Sequence, residues 1–236
     1  MYEENAKGSK IAGILLAAGS SSRMGSEDKL WLKLNRRPVI EYSLEVLTGL
    51  DILDVLVVVS PKERQAQIKK LLINQKETIF VEGGERRQDS VAAGLAAVPE
   101  AGWYIIHDGA RPFISVEMIL SVFKSAKLNG AAVPGLRLNE TVKRVDDAGK
   151  VVETLDRSML RTVQTPQVFR GDLIRNAHRN IDENVTDDAM MVELLGGTVE
   201  IVEGDAKNIK LTNPIDFQIA INLLNLDFDI AKDRYC

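Results

Sequence analysis

Residues 11–29 read IAGILLAAGSSSRMGSEDK, an apolar run followed at once by a loop of small, hydroxyl-bearing and charged residues. The run at 11–16 has the length and composition of a strand buried on both faces, as strands are in parallel sheets. A loop that leaves the carboxyl end of such a strand lies at the edge where α/β sheets bind their ligands. This stretch therefore predicts both the class of fold and the place of the functional site.

The loop itself has the composition of a phosphate-binding loop. Residues with little side chain let backbone N–H groups approach a phosphate, and nearby cations offset the charge of that phosphate. The residues with these properties are Ala17, Ala18, Gly19, Arg23 and Lys29. The sequence contains neither the GxxxxGK[ST] pattern of a Walker loop nor the GxGxxG pattern of a dinucleotide fold. We therefore expect a different kind of triphosphate-binding loop.

Further apolar runs of strand length alternate with segments of helical periodicity. The runs lie at residues 55–59, 78–81, 103–106 and 131–133. Ile40, Leu44 and Leu47 give one helical segment an apolar face, and residues 60–63 combine a capping box with a proline at the first helical position. Later patterns predict helices at 172–178, at 186–195 and after Pro214, and strands at 198–202 and 209–211. The alternation predicts an α/β fold with a Rossmann-like, doubly wound, mainly parallel sheet.

The alternation is interrupted at about residues 137–157. There the segment 141–155 reads as two strands around Asp146-Asp147-Ala148-Gly149, a sequence typical of a hairpin turn. The neighbouring sequence supplies no apolar segment to cover this hairpin, and an isolated hairpin is only marginally stable. We expect a single domain over residues 1–236 with a projecting β-hairpin arm that packs on a second copy, which makes a homodimer the hypothesis.

The composition excludes several classes of protein. The 236 residues include 30 Lys and Arg against 34 Asp and Glu, and the net charge of −4 argues against a general nucleic-acid binder. The single cysteine, Cys236, cannot form an internal disulfide, and two histidines cannot build a His/Cys zinc cluster. No apolar run approaches the roughly 20 residues of a membrane span. We therefore expect a cytoplasmic protein that binds neither nucleic acid nor membranes.

The peptide GGERRQDS, residues 83–90, follows the third predicted strand and opens a helix. Backbone N–H groups at a helix start, together with the Ser90 hydroxyl, can bind a ligand such as the edge of a nucleobase. A glycine turn followed by a helix cap explains the same residues equally well. Both interpretations stay open from the sequence.

The peptide HDGARPF, residues 107–113, follows the fourth predicted strand. Asp108 lies where a carboxylate can hold Mg²⁺ or another divalent cation together with substrate phosphates. Gly109 lets the chain pass close to a sugar, and Arg111 either binds a phosphate or pairs with an acidic neighbour. We expect His107 to be a packed residue at the strand end rather than a base.

Five segments, in this order, resemble the 2-C-methyl-D-erythritol 4-phosphate cytidylyltransferases of the non-mevalonate isoprenoid pathway. They are LAAGSSSRMG with Lys29, GGERRQDS, HDGARPF, RTVQTPQVF at 161–169 and NIKLT at 208–212. The resemblance implies a nucleotidyltransferase fold, a homodimer with exchanged arms, and Mg²⁺ dependence. It also implies CTP and 2-C-methyl-D-erythritol 4-phosphate as substrates, with 4-diphosphocytidyl-2-C-methyl-D-erythritol and diphosphate as products.

The resemblance also implies roles for individual residues of this chain. The implied catalytic residues are Arg23, Lys29, Arg157 and Lys210. The implied nucleotide contacts are Ala17, Ala18, Gly19, Lys29, Gly84, Glu85, Ser90, Asp108 and Gly109. The implied contacts of the acceptor substrate are Asp108, Gly109, Arg111, Thr141, Arg157, Thr165, Thr186 and Lys210. Asp108 is the implied metal ligand, and Thr141 and Arg157 are expected to reach in from the partner's arm.

The residue types suit such a transfer on chemical grounds. A phosphate monoester has its second pKa at about 6 and is mostly dianionic at pH 7, so it attacks without a general base. The reaction needs cations to neutralise the transferring and leaving phosphates. Three alternatives remain: a cytidylyltransferase for ribitol 5-phosphate or another polyol phosphate, a molybdenum-cofactor nucleotidyltransferase, and a non-catalytic nucleotide sensor on the same fold.

Overall fold

The computed structural model describes residues 9–19, 28–74 and 76–233. Within these ranges the strands are β1 (Ile11–Leu16), β2 (Lys33–Leu34), β3 (Arg37–Pro38), β4 (Val55–Val59), β5 (Glu77–Val81), β6 (Trp103–Asp108), β7 (Ala131–Arg137), β8 (Lys143–Val145), β9 (Val151–Thr154), β10 (Arg161–Val163), β11 (Gln167–Arg170) and β12 (Glu200–Glu203). The helices are α1 (Val39–Thr48), α2 (Lys62–Lys69), α3 (Arg87–Ala97), α4 (Val116–Asn129), α5 (Gly171–Asn180), α6 (Asp188–Leu194) and α7 (Pro214–Asp233). None of the helices in these ranges is long and apolar enough to span a membrane.

Eight strands form one sheet in the order β10-β7-β11-β6-β1-β4-β5, with β12 beside β7. The strands β6, β1, β4 and β5 pair in parallel, and so do β7 and β12. β11 runs antiparallel to both of its neighbours, and β10 runs antiparallel to β7. The predicted α/β fold with a mainly parallel sheet is confirmed.

Apolar layers cover the central strands on both faces of the sheet. Ile14 belongs to a buried cluster with Val57 and Phe169, whereas the next residue, Leu15, belongs to a second cluster with Leu44. Successive side chains of a strand point to opposite faces, so an unbroken apolar run requires cover on both sides. This is why the strand that begins the quoted stretch lies at the centre of the molecule.

The parallel pairing brings the ends of four strands to one edge. Leu16 at the end of β1 is in register with Val59 of β4 and with Asp108 of β6. Val59 is in turn in register with Val81 at the end of β5. The loops that follow β1, β5 and β6 therefore start side by side.

The hairpin predicted within 137–157 is present as β8 and β9, which pair only with each other in the described sheets. Gly149 in its turn has a φ of 76°, in the left-handed region that favours glycine. Every residue of both strands is exposed, including Val145, Val151 and Val152. The described chain thus leaves the apolar side chains of its own arm uncovered.

Two local predictions are wrong, and two pairs of strands are not predicted. α2 has no side-chain cap, because its N-cap is Pro61 rather than Ser60, and the buried Ser60 hydroxyl has no hydrogen-bond partner among the described residues. Residues 209–211 form no strand; the Leu211 N–H donates instead to the Ala110 carbonyl, which holds this segment against the loop after β6. The strands β2, β3, β10 and β11 lie where the patterns predict none.

Candidate active site

A cavity of about 360 Å³ opens at the edge where β1, β5 and β6 end. Its wall comes from the loops that follow these strands and from the segment at 210–212. The residues of the sequence-predicted site that line it are Ala18, Gly19, Lys29, Gly84, Glu85, Ser90, Asp108 and Lys210. Arg23 lies outside the described residues.

The loops after β1 and β5 touch each other closely. The Ala17 N–H donates to the Val59 carbonyl over 2.7 Å, so this amide continues the pairing of β1 with β4. Ala18 and Gly19 line the cavity. A Cβ at Gly83 would lie 2.2 Å from the Cβ of Ala18, a distance that no real pair of atoms tolerates. Only glycine at this position lets the two loops share one cavity wall.

The loop after β5 is held by the helix that it opens. The Ser90 hydroxyl accepts the N–H of Gly84 over 3.2 Å, and Arg86 and Asp89 form the capping box of α3. A Cβ at Gly84 would lie 2.3 Å from the Cβ of Asp89, so this turn requires glycine as well. The glycine turn and its helix cap are therefore present. Gly84, Glu85 and Ser90 of the same peptide line the cavity, and their contact with a ligand stays a prediction.

Asp108 sits among three cations at the end of β6. Its Oδ2 lies 2.7 Å from the Lys210 Nζ and 3.9 Å from the Arg111 Nε, and its Oδ1 lies 3.4 Å from the Arg87 Nε. Burial disfavours the charged carboxylate, yet Arg87 and Lys210 hold the pKa of Asp108 well below its ordinary value. The carboxylate is therefore ionised and the cluster as a whole is positive, which favours binding of a polyanion.

Arg87 is a member of this cluster that the sequence analysis did not single out. From the first turn of α3 its Nη1 reaches Asp188 Oδ2 over 2.6 Å, so the guanidinium bridges Asp188 and Asp108. Asp188 is completely buried, and its Oδ1 also lies 3.2 Å from His178 Nε2. Burial works against the Asp188 charge, but Arg87 keeps the pKa of this carboxyl below its ordinary value. The buried carboxylate thus holds a cation at the cavity wall.

Gly109, Arg111 and Thr165 lie directly behind the cavity wall. A Cβ at Gly109 would lie 2.9 Å from the Leu16 carbonyl oxygen, so this glycine lets the chain pass close to β1, and its approach to a sugar stays a prediction. Arg111 donates from Nη1 to the Asn208 carbonyl over 2.8 Å, and burial lowers the pKa of its guanidinium. The Thr165 hydroxyl accepts the Asp108 N–H over 3.1 Å. These residues support Asp108 from behind.

His107 is packed at the end of β6, as expected. Its side chain is completely buried, with Nδ1 3.0 Å from the Thr165 hydroxyl and Nε2 3.1 Å from the Arg111 carbonyl oxygen. Burial lowers the pKa of His107 to about 4, so the imidazole is neutral at pH 7.

The remaining acceptor-site predictions fall outside the cavity of one chain. Thr141 and Arg157 are exposed at the two ends of the arm, and Arg157 donates to the Asn139 carbonyl. Thr186 is exposed, and the N-cap of α6 is Asp187, whose carboxylate accepts the Met190 N–H over 3.0 Å. A role for these three residues needs either a second chain or a movement toward the cavity.

The described lining of the cavity offers a metal ion a single aspartate, Asp108, and so suits a cation that takes its other ligands from substrate and water. In the described ranges, no three His, Cys, Asp or Glu side chains come close enough together to hold a metal ion by themselves. Asp108 offers one carboxylate next to the small residues of the first loop. Mg²⁺ is bound in this way, through one or two carboxylates together with substrate phosphates and water. The residues present therefore fit Mg²⁺ bound with a nucleotide.

Known proteins resemble this chain over nearly its whole length. The family model for 2-C-methyl-D-erythritol 4-phosphate cytidylyltransferase matches residues 11–225. Proteins of that name from Dehalococcoides mccartyi and Pelotomaculum thermopropionicum are 41% identical over 218 residues and 42% identical over 221 residues. These alignments cover 91% and 89% of this chain, and 96% and 92% of the respective relatives.

Solved structures show the same likeness in three dimensions. The structure of 4-diphosphocytidyl-2C-methyl-D-erythritol synthase from Anaerococcus prevotii has a TM-score of 0.84 at 30% identity, and covers 92% of this chain and 96% of its own. The 2-C-methyl-D-erythritol 4-phosphate cytidylyltransferase from Thermus thermophilus has a TM-score of 0.74 at 31% identity, with coverages of 91% and 98%.

Proposed function

Because this chain belongs to the 2-C-methyl-D-erythritol 4-phosphate cytidylyltransferase family, we propose that its cavity joins CTP to 2-C-methyl-D-erythritol 4-phosphate. The products are 4-diphosphocytidyl-2-C-methyl-D-erythritol, an intermediate of isoprenoid synthesis, and diphosphate. We assign the reaction to this cavity because Lys29, Asp108 and Lys210 line it together. The glycine-containing loops after β1 and β5 form part of the same wall.

The proposed mechanism is charge neutralisation and positioning. An oxygen of the acceptor phosphate attacks the α-phosphorus of CTP, a new P–O bond forms, and the bond from the α-phosphorus to the diphosphate oxygen breaks. The acceptor is already dianionic at pH 7, so no side chain has to remove a proton. Lys29, Lys210 and Arg23 would bind the phosphates, and Arg87 would add charge from α3.

The other assigned roles follow the cavity wall. Ala18, Gly19, Gly84, Glu85 and Ser90 would contact the nucleotide, since all of them line the cavity. Asp108 would hold Mg²⁺ together with the phosphates of CTP, and the bound ion supplies further neutralisation of negative charge. Gly109, Arg111 and Thr165 lie behind the cavity wall and would contribute to the acceptor side through Asp108. A cytoplasmic location is part of the proposal, because the reaction consumes CTP and the chain cannot form an internal disulfide.

The reaction and its ion requirement can be tested together. Purified protein incubated with CTP, Mg²⁺ and 2-C-methyl-D-erythritol 4-phosphate should release diphosphate, and excess EDTA should abolish that release. Ribitol 5-phosphate at the same concentration should be a poor acceptor. Preference for ribitol 5-phosphate would move the chain to the polyol-phosphate alternative, and tight CTP binding without diphosphate release would identify a sensor.

We also propose that the chain forms a homodimer through its arm, so that Thr141 and Arg157 complete the partner's cavity. Support comes from the uncovered apolar residues of the hairpin, of which Val151 is 60% exposed and Val152 is 56% exposed. Exposed apolar clusters of this kind mark interaction surfaces. The position of Arg157 away from the cavity of its own chain agrees with a role in trans.

Sedimentation equilibrium should therefore show a dimer for the wild type. Val151→Glu places a charge in the proposed interface and should shift the protein toward monomer while lowering turnover at least tenfold. Leu128→Glu is the matched control, because Leu128 is 81% exposed on α4 and lies outside the arm. A wild-type monomer with full activity would contradict the shared site.

A further inference from the structure

His107 is the residue before Asp108 on β6, and its side chain is completely buried. We propose that His107 is a positioning residue for Asp108 and acts through the hydroxyl of Thr165. His107 does not line the cavity, so this role requires no contact with either substrate. A test of this role by kcat rests on the proposed function, whereas a test by the NMR signals of the His107 ring does not.

The hydrogen-bond partners of the imidazole determine which nitrogen carries the proton. Nε2 lies 3.1 Å from the Arg111 carbonyl oxygen, which can only accept, so Nε2 carries a hydrogen. The other partner, the Thr165 hydroxyl, is uncharged, and a buried imidazolium without a charged partner is unfavourable. The ring is therefore neutral, and Nδ1 accepts the hydroxyl hydrogen of Thr165 over 3.0 Å.

This tautomer orients the Thr165 hydroxyl toward Asp108. Because the hydroxyl hydrogen points to His107, an oxygen lone pair remains to accept the Asp108 N–H over 3.1 Å. The backbone of Thr165 is held independently, since its carbonyl accepts from the Asn208 amide over 2.8 Å. The hydroxyl therefore stands at a fixed place and fixes the backbone of Asp108.

The other end of the turn is held by the same ring. The Arg111 carbonyl that accepts from His107 also accepts from the Ser43 hydroxyl over 3.1 Å. His107 thus ties both ends of the segment 108–111 to buried groups. A peptide held in this way sets the direction in which the Asp108 side chain leaves the strand.

Asp108 depends on this direction because its carboxylate must meet two cations from different elements. Oδ2 lies 2.7 Å from Lys210 and Oδ1 lies 3.4 Å from Arg87. Misplacement of a reacting group by about 1 Å can cost about 100-fold in rate. We therefore expect loss of the His107 to Thr165 bond to lower kcat by about 10- to 100-fold.

Two amide variants separate the two bonds of the ring. In His107→Asn the amide oxygen can take the place of Nδ1 and accept from Thr165, whereas in His107→Gln the amide nitrogen can take the place of Nε2 and donate to Arg111. We expect His107→Gln to show the loss in kcat with the KM for CTP within about twofold of wild type, and His107→Asn to keep most of the wild-type kcat. Equal losses in both variants, or the reverse order, would overturn the proposal.

A spectroscopic measurement tests the geometry even if the enzyme catalyses another reaction. The chain has two histidines, so the ring-nitrogen signals of ¹⁵N-histidine-labelled protein are few and assignable. His107 should carry its proton on Nε2, and the Nδ1 signal should move in Thr165→Val but stay in place in Thr165→Ser. A proton on Nδ1, or an Nδ1 signal unchanged in Thr165→Val, would refute the positioning pair.

Discussion

Asp108→Asn is expected to lower kcat by about 100- to 1,000-fold, the range found when one charged or polar group that stabilises a transition state is removed. The amide keeps the size of the side chain but loses the charge that holds Lys210 at 2.7 Å and Arg87 at 3.4 Å. It also loses the carboxylate proposed to bind Mg²⁺ with the nucleotide. The defect should therefore appear in the chemical step.

Steady-state kinetics with saturating CTP measure this effect, and calorimetry with CTP alone separates it from lost binding. Asp51→Asn is the matched control, because Asp51 is an exposed aspartate in the turn after α1. This control should keep wild-type kcat. If Asp108→Asn retained a third or more of the wild-type kcat, Asp108 would have no place in the reaction.

Asp188→Ala is expected to lower the free energy of unfolding by about 3–5 kcal/mol, as is typical when one partner of a buried ion pair is removed. Asp188 is completely buried and meets Arg87 at 2.6 Å and His178 at 3.2 Å. Without it, a largely buried guanidinium loses its nearest anion. Arg87 would then be less constrained beside Asp108, so turnover should fall as well.

Urea denaturation measures the loss of stability, with Asp172→Ala as the control. Asp172 pairs with Arg170 at 2.6 Å, but its side chain is 63% exposed, so its removal should cost no more than about 1 kcal/mol. Equal losses of unfolding free energy in the two variants would show that the buried Asp188–Arg87 pair stabilises the fold no more than the exposed Asp172–Arg170 pair.

The stability difference between wild type and Asp188→Ala should also depend on pH. Arg87 lowers the pKa of Asp188 in the folded state below the ordinary value of 3.8. The stabilisation is therefore fully present above pH 3.8 and is lost as the pH falls through the folded-state pKa. Chemical denaturation at pH 7 and at successively lower pH should show the difference shrinking; growth on acidification would contradict the assignment.

Strands were predictable from the sequence where consecutive apolar residues are buried together. The runs at 11–16 and 55–59 coincide with β1 and β4, because a strand covered on both faces needs consecutive apolar residues. The segment 161–170 gave no such signal. It contains Gln164 and Gln167, which are buried because their amides bond to the distant residues Asp205 and Asp187.

The convergence of the loops after β1, β5 and β6 was likewise predictable, because parallel strands in register end at one edge. Arg87 was missed because its position at the cavity wall depends on an ion pair with Asp188, which lies 101 residues further along the chain. A sequence shows that both residues carry charge, but only packing shows that one is buried against the other.

β11 runs antiparallel to β6, and this direction bears on the places proposed for the two substrates. Its neighbour β6 finishes at the cavity edge, whereas β11 starts there, so the segment that enters it brings Thr165 beside Asp108. Under the proposed assignment, the nucleotide would be contacted by loops that follow strands, whereas Thr165 on the acceptor side belongs to the segment that precedes β11. We therefore expect acceptor preference to change between relatives through substitutions before β11, while the loops proposed to bind the nucleotide stay unchanged.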